Sequence, residues 1–120
     1  MSDKSPIDET ALERLLSTIG GDPEDLDELI EDFVSTTPAL AAKLRAAAET
    51  GDTKALGIAA HTLKSNARDF GATALEGLCA ELERLAKDPA ATVPMDLVEQ
   101  VDPTLAEATA ALRQVRPGAG

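Results

Sequence analysis

The sequence predicts an all-α fold, an antiparallel four-helix bundle with a short additional N-terminal helix. Three observations predict it. The apolar content is mostly Ala and Leu, both strong helix formers. No alternating run rich in Val, Ile or Thr is present to suggest a strand. The apolar residues recur at three- and four-residue spacing between clear stop signals.

The elements follow in order. Residues 1–6 read as a loose start. Leu12, Leu15, Leu16 and Ile19 give a short amphipathic helix that Gly20 and Gly21 end. Asp22-Pro23-Glu24-Asp25 is a helix start, with a capping Asp, a Pro suited to the first turn and acids at the positive end of the dipole. Leu26, Leu29, Ile30, Phe33, Leu40, Leu44 and Ala47 form one stripe that keeps its phase across Pro38. One long kinked helix ending at Thr50-Gly51 is therefore expected, not two. Asp52 caps a third helix over about Thr53 to Phe70, and Gly71 makes the next corner. A fourth carries Leu75, Leu78, Cys79, Leu82 and Leu85 and stops at Asp88-Pro89. After a loop to Pro94, Val98, Val101, Leu105, Ala108, Leu112 and Val115 mark the last helix, with a kink expected at Pro103. Residues 116–120 read as a loose tail, and the 120 residues as one domain.

Composition excludes several function classes. Eleven Lys and Arg against 22 Asp and Glu give a net charge of −11, unsuited to general binding of nucleic acid or anionic membranes. One cysteine allows no intramolecular disulfide and no zinc cluster, and no second histidine is present to complete a metal-ligand set. No apolar run approaches a membrane span and no signal peptide is visible, so a cytoplasmic protein is expected. No Gly-rich phosphate loop and no pair of catalytic carboxylates can be identified. Glu24-Asp25 and Glu31-Asp32 read as solvated faces, and Cys79, on an apolar stripe, as a buried unreactive thiol.

The third helix carries the functional signal. At about 100° per residue, Leu56, Ala59, Ala60, Leu63, Ala67 and Phe70 share one core face. His61, the single histidine, points about 150° away from its centre, towards water. Gly57, Lys64, Ser65 and Arg68 share that outer face. A neutral imidazole can attack phosphorus without a separate base. Lys64, three residues on, is placed to neutralise a phosphoryl group held by the ring, and Arg68 extends the positive patch. Gly57 and Ser65 keep the helix surface low enough for another protein to approach. By itself an exposed His is usually only a surface residue, and the geometry leaves both readings open.

The run from Ala60 to Ala72, AHTLKSNARDFGA, resembles the signature of histidine phosphotransfer (HPt) domains. It has the His, a hydrophobic residue two on, Lys three on, a small residue four on and Gly71 ten on. Leu75, Cys79 and Leu82-Glu83 downstream fit as well, as do Asp22-Pro23, Phe33, Leu40 and Thr50-Gly51-Asp52 upstream. The resemblance spans roughly Asp8 to Ala86 and departs at Ser65, where many members have Gly, and at Asn66.

It implies that His61 accepts a phosphoryl group from a receiver-domain aspartate and passes it to another receiver in a multistep His-Asp relay. Nε2 is the nitrogen such proteins most often use. Lys64 would neutralise the phosphoryl charge. Lys54, Gly57, Ile58, Ser65 and Arg68 would dock the partner, with the basic patch of Lys54, Lys64 and Arg68 facing an acidic receiver pocket. The implied partners are response-regulator receiver domains and a hybrid histidine kinase. No cofactor or metal is expected on this chain, Mg²⁺ belonging to the receiver. The protein would be a covalent carrier with no kinase activity of its own, and a free-standing monomer. The alternative is a non-catalytic interaction module that binds and inhibits a receiver or kinase, which requires neither His61 nor Lys64. An acidic adaptor bundle binding through an apolar edge is a further rival.

Overall fold

The computed structural model describes residues 7–115. Six helical segments follow one another: α1 (Glu9–Thr18), α2 (Pro23–Thr50), α3 (Thr53–Asp69), α4 (Thr73–Lys87), α5 (Met95–Glu99) and α6 (Val101–Val115). No strand occurs among the described residues. The loose ends expected at 1–6 and 116–120 lie outside them.

Local chemistry sets the boundaries. The side chains of Asp8, Asp22 and Asp52 accept backbone N–H bonds from Thr10, Glu24 and Ala55, capping α1, α2 and α3. Gly51 turns left-handed at φ 75°, and Asp52 N–H then reaches Ala47 O at 2.9 Å, closing the end of α2. Gly71 has a stronger need to be glycine. Its φ is 73°, and a Cβ there would stand 2.4 Å from Asp8 O. That close approach lets Asp8 N–H bond Gly71 O at 2.7 Å, tying the start of α1 to the α3–α4 corner.

α2 runs as 28 continuous helical residues through Pro38. Pro38 supplies no N–H to the turn before it. The hydroxyls of Ser35, Thr36 and Thr37 bond back to carbonyls in that turn, Thr37 Oγ1 reaching Phe33 O at 2.6 Å in the core. The last helix differs from the single kinked helix expected. It is split into α5 and α6 at Gln100. The break precedes Pro103 because the missing N–H and the ring both act on the carbonyl four residues earlier, that of Glu99.

Helices α2, α3, α4 and α6 form the bundle, α2 packing on α3, α3 on α4, α4 on α6 and α6 on α2. The connections at 51–52 and 70–72 are too short for any but antiparallel neighbours. Leu26, Ile30, Leu44, Leu56, Leu63, Leu75, Leu82 and Leu112 are fully buried. Phe33 and Phe70 meet with ring centroids 4.9 Å apart at 49°. α1 packs on α2 and α3, burying Ala11 and Leu12. Every residue of the expected α3 stripe is buried, which fixes the phase of the helix and therefore the direction of His61.

Candidate functional site

His61 stands on the outer face of α3 with 60 % of its side chain exposed. Across from it on α4 lies Glu83, whose side chain is only 8 % exposed. His61 Nδ1 is 2.9 Å from Glu83 Oε2. Lys64 Nζ is 2.6 Å from Glu83 Oε1, and Lys87 Nζ is 2.9 Å from Oε2. One nearly buried carboxylate thus holds the imidazole and two ammonium groups.

Its electrostatics follow from those contacts. Hydrogen bonds from Lys64 and then Lys87 pull the Glu83 carboxyl down from its ordinary 4.5 to about 2; burial opposes them, and His61 adds a smaller pull. Glu83 is therefore ionised at neutral pH and can only accept hydrogen bonds, so Nδ1 of His61 must be the donor. In the neutral ring that leaves the lone pair on Nε2.

The expected site residues separate into groups. Lys54, Gly57 and Ile58 line a groove between α3 and α4 together with His61, Glu83, Ala86 and Lys87. Its volume is about 460 Å³. Ile58 is 61 % exposed and also lines a second groove, between α2 and α3, with Leu40, Ala55 and Thr62. Ser65 and Arg68 lie outside the first groove, further along α3. Ser65 is half-buried, and Arg68 Nε bonds Glu76 Oε2 on α4 at 3.1 Å, so Arg68 is already engaged. Lys64 is not a free surface cation: 19 % of its side chain is exposed and its ammonium is held by Glu83.

Glu83 and Lys87 were not among the site residues read from the sequence. Glu83 sits beside core residue Leu82, and a helical projection of α4 alone gives it Lys87 but neither His61 nor Lys64, which lie on α3. The usable signal was a lone acid at the edge of an apolar stripe, with Lys87 one turn on. Cys79 is buried, and burial pushes its thiol up to about 12. Among the described residues no group of three or more His, Cys, Asp or Glu is arranged to hold a metal ion, and no helix is long and apolar enough to cross a membrane.

The fold is thus a four-helix bundle that exposes its single histidine and holds that ring by a carboxylate on the adjacent helix. The family model of the Hpt domain matches residues 28–115, and the chain belongs to that family. It is thus a histidine phosphotransfer protein of the phosphorelay type. Among solved structures it is similar to the crystal structure of histidine-containing phosphotransfer protein B (HptB) from Pseudomonas aeruginosa PAO1. The two are 27 % identical with a TM-score of 0.83, over 95 % of this chain and 96 % of that one. No curated protein matches the chain.

Proposed function

We propose that His61 is the phosphoacceptor of a multistep His-Asp relay, taking a phosphoryl group from a receiver-domain aspartyl phosphate and returning it to the aspartate of another receiver. The observation that carries this reading is the bond from His61 Nδ1 to Glu83, which turns Nε2 outward from an exposed ring.

The chemistry needs little more than position and charge. Nε2 attacks phosphorus, the N–P bond forms, and the P–O bond to the donor aspartate breaks with the electron pair leaving on its carboxylate. The ring keeps its Nδ1 proton, held by Glu83, and so becomes cationic while it carries the phosphoryl group. That positive charge makes the ring a good leaving group for the next transfer. Lys64, three residues from His61, supplies a cation for the phosphoryl oxygens.

The partners follow from the surface. Ile58 offers an exposed apolar contact beside the ring, and Lys54, Lys64 and Lys87 give this face a positive charge on a chain of net charge −11. An acidic receiver pocket with its own Mg²⁺ is the complementary surface, and a hybrid histidine kinase the upstream source. The protein acts in the cytoplasm as a monomer.

The test is phosphoryl transfer from a phosphorylated receiver domain to wild type and His61→Gln. Acid-labile, alkali-stable label on wild type alone is the expected result. Equal labelling of His61→Gln overturns the assignment. A receiver that binds both proteins and labels neither would favour the inhibitory module.

A further inference from the structure

Beyond adding to the positive charge of this face, Lys87 takes no part in the bond-making step described above, yet it shares one oxygen of Glu83 with His61. We propose that Lys87 is a positioning residue of this site: it is the cation that stays on Glu83 while Lys64 turns to the phosphoryl group. This rests on His61 being the acceptor.

The argument is one of charge and reach. In the resting site, two ammonium groups share a single carboxylate. A phosphoryl group on Nε2 brings about two negative charges. The ring keeps its Nδ1 proton as the N–P bond forms and the donor's bond to phosphorus breaks, so it becomes cationic. The ring, Lys64 and Lys87 then balance Glu83 and the phosphoryl group. Lys64 lies on the same helix as His61 and one turn along it, where its stem can reach the phosphoryl oxygens. It must leave Glu83 Oε1 to do so. Glu83 is 8 % exposed, and a carboxylate so buried is costly to strip of its cations. Lys87 is bound to the other oxygen, Oε2, and reaches it from solvent, with 71 % of its own side chain exposed. It can keep Glu83 charged, and aimed at Nδ1, through the whole exchange. The structure therefore gives the two lysines different work although both bond one carboxylate.

The experiment uses the full chain and a small phosphoramidate donor, whose P–N bond breaks with loss of ammonia, so that receiver docking plays no part. Loading is followed by ³¹P NMR, and the His61 ring tautomer by its ¹⁵N signals, which need no phosphoryl group. Lys87→Met should slow loading about two- to fivefold, the scale of an exposed ion pair, and, read in a Lys64→Met background where Lys87 is the one ammonium left on Glu83, move the ring signals towards a tautomer mixture. Lys87→Arg should restore both. In a Glu83→Gln background, adding Lys87→Met should change neither. Wild-type loading in Lys87→Met, or ring signals that Lys87→Met leaves unmoved in the Lys64→Met background, overturns the proposal. So does an effect of Lys87→Met that survives in Glu83→Gln, because Lys87 would then act on the phosphoryl group directly. His61→Gln run in parallel separates the two failures: label on that variant removes the acceptor reading, whatever the Lys87 variants do.

Discussion

Replacing Glu83 with alanine removes the carboxylate that bonds the His61 ring while leaving the ring itself in place. The structural cost should be small for a residue so buried. Its three partners are His61, Lys64 and Lys87, and both His61 and Lys87 already face solvent. Only Lys64 must move outward to rehydrate. No charge is stranded in the interior, so the loss should be about 1–2 kcal/mol, below the 3–5 kcal/mol typical of breaking a buried pair. The functional cost should be larger. A hydrogen bond to a charged group contributes about 1.5–3 kcal/mol, and the exposure of the ring places this one at the low end. At about 1.4 kcal/mol per factor of ten, transfer should slow about tenfold. The assay pairs a urea melt with the initial rate of label transfer from a phosphorylated receiver. Glu83→Gln keeps an oxygen for Nδ1 and should recover most of the rate. A folded Glu83→Ala protein that transfers within about twofold of wild type would refute the orienting role. A stability loss above about 3 kcal/mol would instead make Glu83 a structural group.

Phe70→Ala should cost about 3–5 kcal/mol in a denaturant melt, because the ring is buried against Phe33; a loss below about 1 kcal/mol would contradict that packing. Ser65→Glu places bulk and negative charge one turn beyond His61, so it should slow transfer from a receiver while leaving loading from a small phosphoramidate donor near wild type; equal receiver rates would put the docking face elsewhere. Acid should weaken the Glu83 contacts in a defined window. Its carboxyl is held at about 2 in the folded protein against an ordinary 4.5, so its contribution is complete above the higher value and disappears as pH falls towards the lower. The stability difference between wild type and Glu83→Gln should therefore shrink from pH 5 to pH 2, and a difference constant over that range would show that the charge of Glu83 does not act in folding.

Much of this protein follows from periodicity and punctuation. The α3 stripe from Leu56 to Phe70 is buried as its spacing requires, and this alone sends His61 to the surface. Asp22, Asp52, Gly51 and Gly71 mark real helix ends because capping and positive φ are properties of single residues and their immediate neighbours. The split at Gln100 was harder to place. Pro103 announces a disturbance, and its effect falls on the turn before it.

The environment of His61 belongs to the tertiary structure. His61 and Glu83 are 22 positions apart and on different helices, and only the packing of α3 on α4 places Nδ1 beside Oε2. Helical spacing within α3 put Lys64 near His61, but not its ammonium on Glu83, and it gave no place to Lys87. Likewise it placed Arg68 on the outer face without indicating that Glu76 on α4 would hold it. A helix face is a one-dimensional property, set by 3.6 residues per turn and legible in the order of residues. A hydrogen bond between helices depends on their relative rotation and translation, which the packing of the shared core decides.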